Sequence, residues 1–371
     1  MWQKKARKLL AVHQMRPLDS DDAVYRHQSK QLIAVSHVDD FLIIGENAAV
    51  TDLIVALEKQ VKVTRNESAD WFLGVQIVRS VDSTQLNQRL YIERLLQSLQ
   101  MDSCRPVATP IEKAPLSVVE GEGEDHDPQE KATDYAHIVG KLMYAACVTR
   151  PDIQYAVSFW SRFLSKPTEE HSKRLKRVLR YLRGSIDLAI RYTATATANQ
   201  PYNKLGLYGV ADASFANDPQ QAKSVSGFVF FMAGGPITWS SRLQSVVAQS
   251  TTEAEYYAIN EAAREAAWIR NFLTELGALP VDSAPIPILN DNNGALTWSA
   301  GTTLRRESRH VKVRYHYVRE EIERGAIKLQ YVSTKDCAAD GLTKPLDRTE
   351  FGRFVQLLHL DSTSETDNQI D

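Results

Sequence analysis

The sequence predicts a mixed fold, α+β overall, that contains an α/β domain with a mixed sheet flanked by helices. The length of 371 residues suggests two or three domains at about 150 residues each. From Leu205 to Pro345 the pattern runs strand–strand–strand–helix–strand–helix–helix–strand–helix. Four carboxylates lie on four separate elements of this stretch, and we predict that they meet in space. They are Asp212, Glu255, Asp291 and Asp340.

Composition sets limits on the class of protein. Apolar residues make up 43% and charged residues 24% of the chain, which is typical of globular proteins. The formal net charge of -2 argues against a uniformly basic surface for nucleic acid but leaves room for local basic faces. The cysteines Cys104, Cys147 and Cys337 form no C-x-x-C pair, so we expect neither a zinc finger nor a disulfide framework, and the chain fits a reducing compartment.

No apolar run approaches the ~18 residues of a membrane span, and the amino terminus lacks the apolar region of a secretory signal. The choice between cytoplasm and nucleus stays open.

The first strong motif is Q-L-I-A-V-S-H-V-D-D-F-L-I-I-G, from Gln31 to Gly45. Two β-prone runs flank Asp39 and Asp40, which predicts a β-hairpin with both acids at or near its turn. Aspartate is also a common turn residue. From these residues alone, a structural role and a functional role for the two acids stay open.

Three further elements follow the hairpin, and then an acidic segment. We predict a helix over Ala48–Val61, a strand over Trp71–Ile77 and a short helix over Tyr91–Leu99. Pro106 to Thr133 contains E-G-E-G-E-D-H-D-P, which indicates a mobile linker or exposed loop.

From Thr133 to Tyr192 the pattern is helical, and Asp152 is a candidate helix cap. The helix Glu169–Arg183 has an apolar stripe and an opposite basic side that includes Arg177 and Arg180. Such a side is usually a solvated face. It can also contact the backbone of a duplex without sequence preference, which is the interpretation that we favour.

Asp212 lies in a strand predicted over Leu205–Ala216, and a hairpin with a Gly234-Gly235 turn follows over Ser224–Trp239. The next helix begins with two overlapping capping-box patterns, one at Ser250 and Glu253 and the other at Thr252 and Glu255.

Glu255 itself lies on the same helix face as Ile259, Ala262, Ala263 and Ala266. An acid that heads an apolar, core-facing stripe is costly to bury unless it is paired or metal-bound. We therefore predict that Glu253 caps the helix and that Glu255 is a ligand.

Asp291 follows the short strand Ile286–Leu289, where a turn or N-cap role is the alternative to a functional role. The ends of such strands are where α/β sites usually form. A helix over His310–Arg324 then carries a basic stripe, and Asp340 is expected at the start of a closing helix. The stripe consists of Arg309, Lys312, His316 and Arg319.

The order of these motifs resembles the reverse transcriptase and ribonuclease H of copia-type (Ty/copia) LTR retrotransposon polyproteins. The palm of that family is similar to H-V-D-D-F-L-I-I-G and W-F-L-G-V-Q-I, although His37 stands where the family has tyrosine. Its ribonuclease H domain is similar to V-A-D-A-S-F-A, S-T-T-E-A-E-Y-Y-A, N-D-N-N-G-A-L and A-D-G-L-T-K-P-L. The resemblance runs from about Ser20 to Leu346.

The resemblance implies a domain order. A third polymerase carboxylate would precede Met1, so Asp39 and Asp40 are expected to be a vestigial metal site in a truncated palm, without polymerase activity. The implied regions are a palm at 1–105, an acidic linker at 106–133, a helical thumb or connection at 134–200, a ribonuclease H-like domain with a mixed five-stranded sheet at 205–346, and a partly disordered tail at 347–371.

The resemblance also implies a reaction, namely endonucleolytic cleavage of RNA in RNA–DNA hybrids. The four acids Asp212, Glu255, Asp291 and Asp340 would be the catalytic residues and would bind Mg²⁺, with Mn²⁺ as the alternative, because hard ions prefer carboxylate oxygen. The implied partners are an RNA–DNA hybrid and the rest of a retroelement polyprotein. The basic residues expected to contact nucleic acid are Arg177, Arg180, Arg309, Lys312 and Arg319.

Two other functions stay open at this point. One is a non-catalytic remnant that binds hybrids, which would follow if the site were mispositioned. The other is an integrase-type nuclease, which ranks last because such enzymes end their acid set with glutamate and usually bring a His/Cys zinc module.

Overall fold

The computed structural model of the chain describes residues 2–66, 68–113, 128–193, 205–218, 221–300 and 312–362. Packing divides these residues into two units. One runs to Phe72 and includes Glu265–Ala284, and the other comprises Leu73–Arg264 and the residues from Pro285 onward. The domain boundaries at 105, 133, 200 and 346 are a different division and stay a prediction.

The described residues form ten helices and fourteen strands in three sheets. None of these helices combines the length and the apolar character needed to cross a bilayer. The helices are α1 Trp2–Val12, α2 Asn47–Glu58, α3 Arg89–Ser98, α4 Pro128–Val148, α5 Gln154–Ser161, α6 Glu169–Gly184, α7 Thr251–Glu275, α8 Asn293–Ala300, α9 Lys312–Glu323 and α10 Arg348–Leu357. The strands are β1 Met15–Pro17, β2 Val24–His27, β3 Leu32–His37, β4 Asp40–Gly45, β5 Trp71–Phe72, β6 Val75–Arg79, β7 Ser83–Asn87, β8 Leu188–Thr193, β9 Tyr208–Ser214, β10 Val225–Met232, β11 Gly235–Leu243, β12 Ile286–Asn290, β13 Ile327–Tyr331 and β14 Leu360–Ser362.

The first unit is built on an antiparallel meander of β1 to β4. Leu53 and Leu57 of α2 are buried in its core together with Leu10, Met15 and Tyr25. The predicted hairpin is confirmed, because β3 and β4 pair through to His37 and Asp40 and leave Val38 and Asp39 in the turn.

The second unit contains a sheet in which β14, β8, β7 and β6 are neighbours in that order, with each adjacent pair antiparallel. Two predictions are corrected here. The strand expected over Trp71–Ile77 is interrupted, because Leu73 and Gly74 have φ of +50° and +73°. The end of the stretch predicted as helical, Leu188–Thr193, is strand β8, whose hydrogen bonds to β7 outweigh its weak helical pattern.

Helices α3 to α6 supply most of the large apolar core of this unit. The predicted apolar stripe of α6 is buried in it. Helix α4 begins at Pro128, inside the segment expected to be a linker, and residues 114–127 of that segment lie outside the described residues.

The sequence suggested that Asp152 caps a helix, but it does not. It is buried and accepts two hydrogen bonds from the guanidinium of Arg150, at 2.9 and 2.7 Å. It also accepts a hydrogen bond from the Tyr181 hydroxyl at 2.6 Å. These contacts with Arg150 and Tyr181 hold the carboxylate in the core, and the helical pattern of the sequence does not reveal them.

The third sheet has the order β11-β10-β9-β12-β13. Strands β9, β10 and β11 are antiparallel, and β12 is parallel to both β9 and β13. This is the mixed five-stranded, ribonuclease H-like sheet that the sequence predicted. The hairpin turn is Ala233-Gly234, with φ of +52° and +85°, one residue before the predicted pair. Both values lie in the left-handed region that tight hairpins require.

The carboxyl-terminal segment differs from expectation in two respects. Asp340 begins a 3₁₀ turn, Asp340–Leu342, and the closing helix α10 begins only at Arg348. Phe351 and Phe354 of α10 are buried, so the first part of the expected tail is packed structure, while residues 363–371 lie outside the described residues.

Candidate metal and active site

Two of the four acids come together through the register of parallel strands. Strands β9 and β12 pair with Val210 opposite Leu289. Asp212 follows Val210 by two residues, and Asp291 follows Leu289 by two residues. Since side chains alternate between the two faces of a sheet, both carboxylates lie on the same face and at the same end of the sheet. The two acids therefore lie together at the strand end where the sequence predicted a site.

Glu255 reaches these acids from α7. The residues that follow on its helix face, Ile259, Ala262, Ala263 and Ala266, are completely buried, so the stripe fixes the side of the helix that meets the sheet. The Oε2 atom of Glu255 accepts hydrogen bonds from the Ala213 amide at 3.1 Å and from Asn290 Nδ2 at 2.9 Å. The glutamate is thus anchored to β9 and β12 by one carboxylate oxygen.

The predicted division of labour on α7 is consistent with these contacts. The Glu253 amide donates to the Ser250 hydroxyl at 3.1 Å, and the Glu253 carboxylate accepts from the Gln249 amide at 2.8 Å. Glu253 therefore caps the helix start while Glu255 points into the site.

Asp340 arrives on the 3₁₀ turn, and a glycine makes its approach possible. Gly227 on β10 lies opposite Asp212 on β9. A Cβ atom at position 227 would lie 2.8 Å from Leu342 Cβ and from Thr343 Cγ2, which is too close for real atoms. The absence of a side chain at Gly227 thus lets the turn pack against the sheet and places Asp340 beside Asp212.

The acids form two triads of ligand atoms that share Asp212. In Asp212, Glu255 and Asp291 one carboxylate oxygen each lies within 4.8 Å of the others, and the same limit holds for one ligand atom each of Asp212, Cys337 and Asp340. All four predicted acids are therefore in one place. Cys337 is a member that the sequence reasoning did not identify.

The crowding of carboxylates perturbs their titration. Burial, followed by repulsion from Asp340, raises the pKa of Asp212 to about 7. Burial, followed by repulsion from Asp212, raises the pKa of Glu255 to about 9. Burial also raises the pKa of Asp340, against the opposing effect of Lys344. Without a cation, the fold therefore favours protonated carboxyl groups at this site.

Three polar side chains that the sequence reasoning left without a role hold the acids in place. The Thr343 hydroxyl donates to Asp212 Oδ2 at 2.5 Å, and the Thr334 hydroxyl donates to Asp291 Oδ2 at 2.7 Å. Lys344 Nζ lies 2.9 Å from Asp340 Oδ2. The motif A-D-G-L-T-K-P-L contains two of these three, so its Thr-Lys pair was the available signal.

The donor set fits Mg²⁺. Carboxylate oxygens are the ligands that this ion prefers, and at metal–oxygen distances of about 2.0–2.1 Å adjacent ligands stand about 2.9 Å apart and opposite ligands about 4.2 Å apart. The ligand atoms of the Asp212–Glu255–Asp291 triad lie within 4.8 Å of one another, so the acids reach one ion if they close by at most about 2 Å. In addition, Asp340 Oδ1 is buried and has no hydrogen-bond partner among the described residues. A buried oxygen without a partner is costly, and a cation would offset that cost.

Asp39 and Asp40 present a different picture. Both are exposed at the tip of the β3–β4 hairpin. Among the residues that the structure describes, neither belongs to a group of three close ligand side chains. Their assignment as a vestigial polymerase metal site stays a prediction.

The basic side of α6 is engaged within the protein. Arg177 donates to the Thr109 carbonyl at 3.1 Å and to Glu112 at 2.8 Å, and Arg180 donates to the Arg105 carbonyl at 2.8 Å. These contacts attach the segment around 105–112 to α6, a structural role that the sequence reasoning did not consider.

The basic stripe of α9 lies only partly within the described residues. Arg319 lies half-buried on α9, and Lys312 is the first residue of that helix. Arg309 lies outside the described residues, and the side chain of Lys312 is likewise not described. The contact of these three residues with nucleic acid stays a prediction.

Comparison with known proteins adds independent information. The family described as reverse transcriptase (RNA-dependent DNA polymerase) matches residues 1–113. The retrovirus-related Pol polyprotein from transposon RE1 of Arabidopsis thaliana is 38% identical over 321 residues, which cover 86% of this chain and 21% of that protein. The transposon Ty5-1 protein of Saccharomyces cerevisiae is 32% identical over 234 residues, which cover 62% of this chain and 72% of that protein. Among solved structures, RNase H1 from Halobacterium salinarum is 15% identical with a TM-score of 0.28, over 37% of this chain and 93% of that protein.

The chain spans 21% to 26% of the length of the first three transposon polyproteins that it matches.

Proposed function

Because the chain belongs to the copia-type retrotransposon polyprotein family, we propose that residues 205–346 act as a Mg²⁺-dependent ribonuclease H. The proposed reaction is endonucleolytic cleavage of the RNA strand of an RNA–DNA hybrid. One observation carries the proposal: four acids from four separate elements converge in two triads that share Asp212. A purely structural role would not require so many carboxylates at one sheet edge, where each raises the cost of ionising the others.

The chemistry follows from the donor set. Bound Mg²⁺ would activate a water molecule and stabilise the charge that develops on the leaving oxygen. Asp212 is the central ligand, because it belongs to both triads. Thr343 and Thr334 keep the carboxylates of Asp212 and Asp291 oriented, and Asn290 fixes Glu255. Loss of such a supporting contact typically lowers metal affinity by about 10- to 100-fold. Mn²⁺ would satisfy the same oxygen ligands.

The proposed nucleic-acid partner is an RNA–DNA hybrid, contacted at its phosphates by Arg309, Lys312 and Arg319. Lysine and arginine supply such contacts without sequence preference. The relatives are longer polyproteins, so the rest of such a polyprotein is the second proposed partner. We assign no polymerase chemistry to Asp39 and Asp40 by themselves.

The decisive experiment is cleavage of an end-labelled RNA–DNA hybrid by the full chain with and without Mg²⁺. Asp291→Asn is the test variant, because it removes one ligand charge while its size is unchanged. Asp361→Asn is the matched control, since Asp361 is exposed on β14 and outside the site. We expect cleavage by the wild type and Asp361→Asn only, and only with the metal. The products should carry 5′ phosphates and 3′ hydroxyls, which separates hydrolysis by water from cleavage through the RNA 2′ hydroxyl.

Two outcomes would contradict the proposal. If all three proteins bind the hybrid in a salt-sensitive manner but none cleaves it, the chain is a non-catalytic hybrid-binding remnant. If Asp291→Asn cleaves as fast as the wild type, the activity does not come from this site.

A further inference from the structure

Cys337 occupies an unusual position for a thiol. It is buried, with 1% of its surface exposed. Its Sγ atom lies within 4.8 Å of one carboxylate oxygen each of Asp212 and Asp340. The chain has two other cysteines, Cys104 and Cys147, and neither belongs to a group of this kind among the described residues. A sulfur donor therefore faces two oxygen donors at the edge of the proposed magnesium site.

From this arrangement we propose that Asp212, Cys337 and Asp340 form a binding site for a thiophilic divalent cation, with Zn²⁺ and Cd²⁺ as the chemical class. A site with one sulfur and two carboxylate ligands is foreign to Mg²⁺, which takes oxygen alone, and is suited to borderline and soft ions. The site would share two carboxylates with the proposed magnesium site. An ion bound there would therefore compete with Mg²⁺ and inhibit the nuclease, and that last consequence rests on the proposed function.

The geometry is close to what such an ion requires. With metal–sulfur distances of about 2.3 Å and metal–oxygen distances of about 2.0–2.2 Å, tetrahedral ligands stand about 3.5 Å apart. The three donor atoms lie within 4.8 Å of one another, so shifts of about 1 Å would close the site. The 3₁₀ turn that follows Cys337 carries Asp340, so both donors belong to one short segment.

The carboxylate of Asp340 has one oxygen available. Its Oδ2 is paired with Lys344 at 2.9 Å. Its Oδ1 is buried and has no hydrogen-bond partner in the described part of the chain. An incoming ion can take Oδ1 without breaking the lysine pair.

The sulfur donor selects the ion. A thiolate ligand favours borderline and soft ions, which separates Zn²⁺ and Cd²⁺ from Mg²⁺.

The test uses Cd²⁺ as the probe and the full chain as the protein. Thiolate ligation gives a ligand-to-metal charge-transfer band in the ultraviolet, and calorimetry gives the affinity. We expect the wild type to bind Cd²⁺ with the band, and Cys337→Ser to lose the band and at least about 10-fold in Cd²⁺ affinity. Cys147→Ser, which alters an exposed cysteine, should behave as the wild type. Asp340→Asn should weaken Cd²⁺ binding while Cys337 remains.

The inference is overturned if the band persists in Cys337→Ser, or if the wild type gives no band, whether or not it binds Cd²⁺. Circular dichroism of each variant shows whether it is folded. If Cys337→Ser is unfolded, the Cd²⁺ affinity of Asp340→Asn is the test, and an affinity equal to that of the wild type would overturn the inference. The nuclease assay is a separate readout. A Cd²⁺ band without hybrid cleavage would refute the proposed function alone, and Mg²⁺-dependent cleavage without a band would refute this inference alone.

Discussion

Replacing Asp212 with asparagine should stabilise the metal-free protein at alkaline pH and abolish its response to Mg²⁺. Asp212 is almost completely buried and faces Asp340. Ionising this carboxyl in the fold is unfavourable, whereas asparagine has the same shape and stays neutral. The Thr343 hydroxyl, which now donates to Asp212 Oδ2, can donate equally to an amide oxygen.

The sign and the size of the effect follow from the pKa. Folding raises the pKa of Asp212 from 3.8 to about 7. Between these values the unfolded chain has already lost the proton that the folded chain keeps, so stability falls as the pH rises through this range and stays low above it. A pKa change of that size corresponds to about 4 kcal/mol, which is an upper limit because neighbouring groups and solvent can relax. Asp212→Asn does not lose this stability, because its side chain does not ionise.

Urea denaturation of both proteins near pH 5 and near pH 9 measures the effect. We expect Asp212→Asn to be the more stable protein at the higher pH and the difference to shrink at the lower. Mg²⁺ at 100 times its dissociation constant should raise the free energy of unfolding of the wild type by about 2.7 kcal/mol and should leave that of the variant unchanged. Asp361→Asn, an exposed control, should follow the wild type throughout. A variant that is less stable than the wild type near pH 9, or that still responds to Mg²⁺, would refute the reasoning.

Other substitutions test the surroundings of the site and the core. Asp152→Asn should lower the free energy of unfolding by about 3–5 kcal/mol, because it weakens a fully buried ion pair; equilibrium unfolding in urea measures this, and a change near zero would contradict it. Thr334→Val should weaken Mg²⁺ binding about 10-fold, because it frees the Asp291 carboxylate; calorimetry with unchanged affinity would show that the hydroxyl does not orient that ligand. Lys344→Met should tighten Mg²⁺ binding about 2- to 5-fold, because it removes a competing cation beside Asp340; weaker binding in the same titration would show that the hold of Lys344 on Asp340 outweighs its competing charge.

The order of elements and the roles of Glu255 and Asp291 could be predicted because they depend on local signals, whereas Asp212 and Asp340 were assigned through the family resemblance. Apolar periodicity identified α6 and α7, and the glycine pair after β10 indicated the hairpin. Glu255 stood out because an acid headed an apolar stripe, and Asp291 because it followed a short buried strand. Each of these signals lies within a few residues of the feature that it predicts.

Features that depend on distant partners could not be predicted in this way. Asp152 looks like a helix cap until the hydroxyl of Tyr181, from helix α6, is seen to donate to it in the core. Arg177 and Arg180 lie on a basic helix side, but periodicity does not reveal that they donate to backbone carbonyls at positions 109 and 105. Cys337 and Lys344 belong to the site through the 3₁₀ turn, whose approach to the sheet is a tertiary event.

Gly227 has a consequence for reading the genomic copies of such an element. The four acids are the obvious residues to inspect when copies are sorted into intact and decayed. Yet any side chain at position 227 would meet Leu342 and Thr343 at 2.8 Å and displace the turn that carries Asp340. A copy that retains all four acids but has lost this glycine should therefore lack the assembled cluster. An inventory of the acids alone would overestimate how many copies retain it.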